Sequence, residues 1–122
     1  MRTIEKEDTP AMKKCPESFS CPVEATVRLI GGKYKAVILW HLRDQTLRFN
    51  ELHKLVPKAT PKMLTQQLRE LENDGLVNRV VYPVVPPKTE YSLTTFGQSI
   101  LPVLNAMCNW GTDYLNGQKD RL

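Results

Sequence analysis

The apolar positions along the chain change period, and those changes divide it into elements. The most sharply bounded stretch is 60–75, TPKMLTQQLRELENDG, where Leu64, Leu68 and Leu71 recur at helical spacing as one narrow stripe. Thr60 suits the N-cap, Pro61 the first helical position, and Gly75 a left-handed stop. Ahead of it, the spacing predicts a helix over 22–30. Pro22 opens it, Val23, Val27 and Ile30 form its apolar side, and Gly31-Gly32 ends it. A second helix, over 33–42, is apolar nearly all round (Ala36, Val37, Ile38, Leu39, Trp40, Leu42), so it is expected to be central and buried. An extended stretch at 46–49 leads to a third helix, about 51–56, capped by Asn50 with Leu52, Leu55 and Val56 inward. The short connection at 57–59 makes this helix and the next a helix-turn-helix, about 50–75.

After Gly75 the period falls to two, which predicts strands over 76–82 and 89–93. The proline-rich 83–88 between them reads as an exposed hairpin tip, since proline cannot donate to a central ladder. A final helix is predicted over 95–115. Phe96, Ile100, Val103, Met107, Trp110 and Tyr114 form a heptad seam along it, with Leu101, Leu104, Cys108 and Leu115 as a second apolar row and a kink at Pro102. Residues 1–20 are polar and aperiodic and predict a flexible arm. The fold class that results is mainly α with a small β-hairpin (α+β). It is a winged helix-turn-helix domain over 21–117, with a wing at about 76–93 and dimerisation helices at both ends.

Composition sharpens the partner. The chain has 122 residues and a formal net charge of +4, one small domain with a moderate bias towards anionic partners. No apolar leader or membrane-length run is visible, and three cysteines without a C-x-x-C pattern point to a reducing, cytoplasmic setting. No cofactor is implied. His41 and His53 offer no metal-ligand spacing, and no catalytic triad order, phosphate loop or carboxylate pair argues for an enzyme.

The charges of the 60–75 helix run against its dipole: Lys58 and Lys62 stand at the start, and Glu70, Glu72 and Asp74 at the end. A basic, amide-bearing face of Lys62, Thr65, Gln66 and Arg69 is what a helix entering a DNA groove needs, with Lys and Arg for phosphates and guanine and Gln for adenine. A solvated amphipathic helix would read the same way. Arg79 and Lys88 add charge to the wing. In the final helix, two apolar rows exceed what one small domain must cover, which predicts a homodimer through it and the first helix. The interface candidates are Val23, Val27, Ile30, Ile100, Val103, Leu104, Met107, Trp110 and Tyr114. Two-fold symmetry would set two reading helices about 34–36 Å apart. The competing reading packs both rows within one chain.

The blocks CPVEATVRLIGGKYKAVIL, RFNEL and TPKMLTQQLRELENDGLVNRVVYPVVPPKTEYSLTTFGQSILPVLNAMCNWG, in this order, resemble the HxlR-type winged-helix transcriptional regulators of bacteria. The resemblance spans about Cys21 to Tyr114 and is most specific from Met63 to Gly97. One departure is Tyr34, where the family usually has Trp. The resemblance implies a homodimer on double-stranded DNA, at a near-palindromic operator, acting as repressor or activator. By position it carries DNA contacts to Asn50, Thr60, Pro61, Lys62, Met63, Thr65, Gln66 and Arg69, with Arg79 and Lys88 on the wing. It also points to Cys21, at the place of a thiol that senses oxidants or electrophiles such as quinones and aldehydes. Cys21 precedes Pro22 at a helix start, where the dipole favours a thiolate; Cys15 is a candidate partner thiol, and an inert capping residue is the other reading. Cys108 is expected to be a core residue. Two further functions stay open: a small-ligand pocket at the dimer interface near Trp40, Trp110 and Tyr114, and a winged helix that binds protein rather than DNA.

Overall fold

The computed structural model describes residues 21–117; the arm expected over 1–20, with Cys15, lies outside them. Helix α1 (Pro22–Ile30) has Pro22 in its first turn, and Glu24 Oε1 accepts from the Cys21 N–H at 3.2 Å. Helix α2 (Lys35–His41) starts later than predicted, because residues 32–34 turn before it. It is buried on one side only: Ile38, Leu39 and the following Leu42 enter the core, while Val37 is exposed. Lys35, in its first turn, is buried.

Strand β1 (Leu47–Arg48) leads into helix α3 (Phe49–Leu55). This helix begins before Asn50. Arg48 holds the N-cap position, and its N–H donates to Glu51 Oε1 at 2.7 Å. Asn50, expected as the cap, therefore lies inside the first turn, and Leu55 faces solvent rather than the core. Helix α4 (Pro61–Asn73) has the ends its sequence predicts. Thr60 Oγ1 accepts from the Met63 N–H at 3.1 Å, and Gly75 adopts φ +80°. Its leucine stripe, Leu64, Leu68 and Leu71, is buried.

Strands β2 (Val77–Tyr82) and β3 (Lys88–Leu93) pair antiparallel, with Val77 opposite Leu93 and Tyr82 opposite Lys88. The predicted two-stranded hairpin gains a third member, since Leu47 of β1 pairs with Tyr91 and the sheet order is β1-β3-β2. The C-terminal helix predicted over 95–115 is two helices, α5 (Thr95–Gln98) and α6 (Leu101–Leu115). Pro102 sits in the first turn of α6, where its absent N–H needs no partner. The proline starts a helix instead of kinking one, and Phe96 is separated from the seam it was expected to head. Short α5 is fixed to the sheet: Gly97 N–H donates to Thr94 Oγ1 at 2.8 Å, and a Cβ on Gly97 would collide with the Leu76 carbonyl. The core gathers Ile38, Leu39, Leu52, Leu64, Leu68 and Leu71 between the helices, with Leu76, Val77, Tyr91 and Leu93 closing it from the sheet.

Candidate nucleic-acid interface

Helix α4 is held from behind by polar contacts as well as by its leucines. Lys35 Nζ lies 2.7 Å from Glu70 Oε1, and the Tyr34 N–H donates to Gln67 Oε1 at 3.2 Å. Gly32 makes that approach possible, since a Cβ there would meet Gln67 Oε1 at 2.5 Å. The turn into α4 is tied twice. The Tyr34 hydroxyl donates to Lys58 O at 3.3 Å, and His53 Nε2 lies 2.9 Å from Ala59 O, an acceptor that requires the proton on that nitrogen. At the far end Arg79 Nε lies 3.3 Å from Glu72 Oε1.

These contacts account for the inverted charges of α4. Glu70 and Glu72 face cations of α2 and β2, so the acidic half is engaged with the chain's own scaffold. The Lys35 ammonium bonded to Glu70, helped by Gln66, holds that carboxyl below its ordinary range. What α4 turns outward is Pro61, Lys62, Met63, Gln66 and Arg69, with Thr65 half-buried among them. Gln66 Nε2 donates to Glu70 Oε2 at 3.3 Å.

Pro61, Lys62, Thr65, Gln66 and Arg69 line a shallow groove with Phe49. Phe49 also borders a hollow shared by Arg48, Asn50 and the hairpin tip from Val84 to Thr89. One surface therefore runs from α4 across Phe49 to the wing, and Thr60 flanks it at the α4 N-terminus. The two wing cations part company. Arg79 is opposite Tyr91 on the sheet face turned to α4, whereas Lys88, opposite Tyr82, projects from the other face. Lys88 Nζ lies 3.8 Å from Glu90 Oε2 and 5.2 Å over the Tyr82 ring. Glu90, bonded to the Tyr82 hydroxyl, raises that phenol above its ordinary value. Arg48 and Phe49, which the sequence pattern does not nominate, lie on this surface; Glu51, three residues after Arg48, is the capping signal that places the helix start at them.

At the other end of the molecule, the proposed interface residues divide. Ile30 and Leu104 are buried within this chain and Ile100 packs half-buried on the core, so these three already have cover. Val23, Val27, Val103, Met107, Trp110 and Tyr114 are exposed. Val23 and Val27 share an apolar groove with Val103 and Met107, and Trp110 stacks on Tyr114 at 5.6 Å. Cys108 is exposed rather than in the core. It borders a cavity of about 320 Å³ between α2 and α6 with Val37, Trp40 and Met107; Trp110 and Tyr114, expected beside Trp40, do not line it. Cys21 is half-buried at the start of α1. Among the described residues no helix is long and apolar enough to cross a membrane, and no His, Cys, Asp or Glu group could hold a metal ion.

Residues 29–119 match the HxlR-like helix-turn-helix family. YdeP of Bacillus subtilis (strain 168), an uncharacterized HTH-type transcriptional regulator, is 56% identical over 102 residues, which is 84% of this chain and 77% of YdeP. The redox regulator HypR in its reduced form is 47% identical with a TM-score of 0.77, over 81% of this chain and 98% of HypR. Its oxidized form is 52% identical with a TM-score of 0.73, over 76% and 96%.

Proposed function

The chain belongs to the HxlR-like helix-turn-helix family of DNA-binding transcriptional regulators, and from that premise we propose that it acts as a cytoplasmic homodimer on a near-palindromic operator. In this reading α4 enters the major groove and the wing lies on the backbone or in the minor groove. The observation that carries it is the division of labour along α4. Glu70 and Glu72 are drawn back onto Lys35 and Arg79, which leaves Lys62, Gln66 and Arg69 as the outward face, continuous through Phe49 with the wing. Dimerisation through α1 and α6 is supported by the exposed apolar set Val23, Val27, Val103, Met107, Trp110 and Tyr114.

A mobility shift on the DNA upstream of the protein's own gene, at two salt concentrations, tests the reading. Specific binding with a steep salt slope is the expected result. Absence of binding at low salt would favour a protein-binding winged helix instead.

The effector in this proposal is an oxidant or electrophile, such as a quinone or aldehyde, that reacts at Cys21. Support comes from the place of Cys21 at the start of α1, beside the proposed dimer surface, and from the likeness to the redox regulator HypR. The α1 dipole acts on this thiol less than the sequence implies, because the Glu24 carboxylate already occupies the α1 N-terminus. Cys21→Ser should abolish release from DNA by diamide or a quinone; unchanged release in that variant would exclude Cys21 as the sensor.

A further inference from the structure

Between α4 and the sheet lies a cleft lined by Thr65, Arg69, Glu72, Arg79 and Tyr91. It holds about 180 Å³, several times the ~30 Å³ that one water occupies in the liquid, enough for a tetrahedral anion. Tyr91 is only 7% exposed, and among the described residues its hydroxyl has no hydrogen-bond partner. A buried hydroxyl left unpaired is costly, so such a group points to a ligand. Burial, with the Glu72 carboxylate acting in the same direction and the Arg79 and Arg69 guanidiniums against it, raises the Tyr91 phenol above its ordinary value, so it enters the cleft as a proton donor.

The rest of the lining agrees in sign. Arg69 and Arg79 bring two guanidinium groups against one carboxylate, Glu72, and that carboxylate is already paired with Arg79 Nε. The pairing fixes the Arg79 side chain and leaves its remaining N–H groups to bond elsewhere. Thr65 adds a hydroxyl. Thr65 and Arg69 also line the groove along the outward face of α4, so cleft and groove are continuous.

We infer that this cleft is a phosphate clamp, in which Arg69, Arg79, Thr65 and Tyr91 hold one phosphodiester of the DNA strand that passes between α4 and the wing. The inference rests on the DNA-binding reading above and adds a specific anchor to it. A strand whose bases face Lys62 and Gln66 carries its backbone past Thr65 and Arg69 into the cleft. The anchor sets register; it reads no base. Arg79 is accordingly a backbone contact, and Tyr91 a contact that has no surface signature.

The test uses the full-length protein and duplexes from upstream of its own gene, with single methylphosphonate linkages that remove one backbone charge at a time. For wild type, one linkage in each half-site should weaken binding by about tenfold, the scale of a lost charge-assisted hydrogen bond. Arg79→Gln and Tyr91→Phe should each bind the unmodified duplex more weakly and be indifferent to that same linkage, while they stay sensitive to linkages elsewhere. Tyr91→Phe should also keep or raise the Tm, because it removes an unpaired buried hydroxyl. Weaker DNA binding in a protein of equal or higher Tm separates a contact from a structural role. If both variants keep the full wild-type penalty at every linkage, the clamp is wrong while the DNA-binding reading stands. If wild type binds no duplex at all, that reading fails and the clamp with it. If inorganic phosphate at matched ionic strength raises the Tm of wild type but not of Arg79→Gln, while both proteins bind every duplex alike, the cleft belongs to a soluble anion and the proposal is overturned.

Discussion

Helices α4 and α6 are both amphipathic, yet among the described residues only one of them has its apolar side fully covered. The stripe of α4, Leu64, Leu68 and Leu71, is wholly buried, and polar side chains face out. On α6 only Leu104 is buried, and Trp110 remains 62% exposed. Exposed apolar surface of that kind, in continuity with Val23 and Val27 of α1, marks an interaction surface. The contrast teaches that an apolar stripe fixes a helix but does not say against what. In the proposed function the polar remainder of α4 meets DNA, whereas the apolar remainder of α6 meets a second copy.

The contrast can be broken in order of expected effect. Trp110→Glu would place an unpaired charge in the proposed dimer surface, at a cost of several kcal/mol. Sedimentation should show a folded monomer that fails on DNA; a dimeric, DNA-competent Trp110→Glu protein would refute the assignment of α6. Leu68→Ala should act on the fold instead, with about 2–5 kcal/mol lost in urea denaturation. Gln66→Ala should leave the fold intact and weaken specific DNA binding by about 1–3 kcal/mol, as read by anisotropy. Lys88→Ala should weaken binding alike on all sequences and reduce the salt slope by about 1.

The smallest effect is on the acid side. The carboxyl of Glu70 is lowered from 4.5 by its bond to Lys35. Its stabilisation is therefore present above the ordinary carboxylate value and is lost as pH falls through the lower, folded one. Glu70→Gln should flatten the urea midpoint against pH in that acid range and leave the neutral range nearly unchanged.

What could be read from the sequence was what is encoded locally. Thr60, Pro61 and Gly75 mark the ends of α4 because caps are made by neighbours in the chain. The two longer strands were legible from their period. The two-residue strand β1 was not, since its pairing with β3 is long-range and two residues carry no period. Pro102 is ambiguous in sequence between a kink and a helix start; the packing of Gly97 on Leu76 decides it. Lys35 carries no local signal in an apolar helix, because its partner, Glu70, lies far along the chain. Nominating the outward residues of α4 needed only helical spacing. The cleft over Tyr91 needed the sheet to be placed against α4, and no run of residues announces it.

The central claim is that α4 presents a DNA-reading face and that α6 supplies a second copy of it. The most direct measurement is an anisotropy titration of a labelled duplex from upstream of the gene, repeated across a range of salt. The account predicts saturable binding of two chains per site, with the logarithm of the affinity falling linearly against the logarithm of salt concentration. No binding at low salt, or one chain per site with an affinity indifferent to salt, would contradict it.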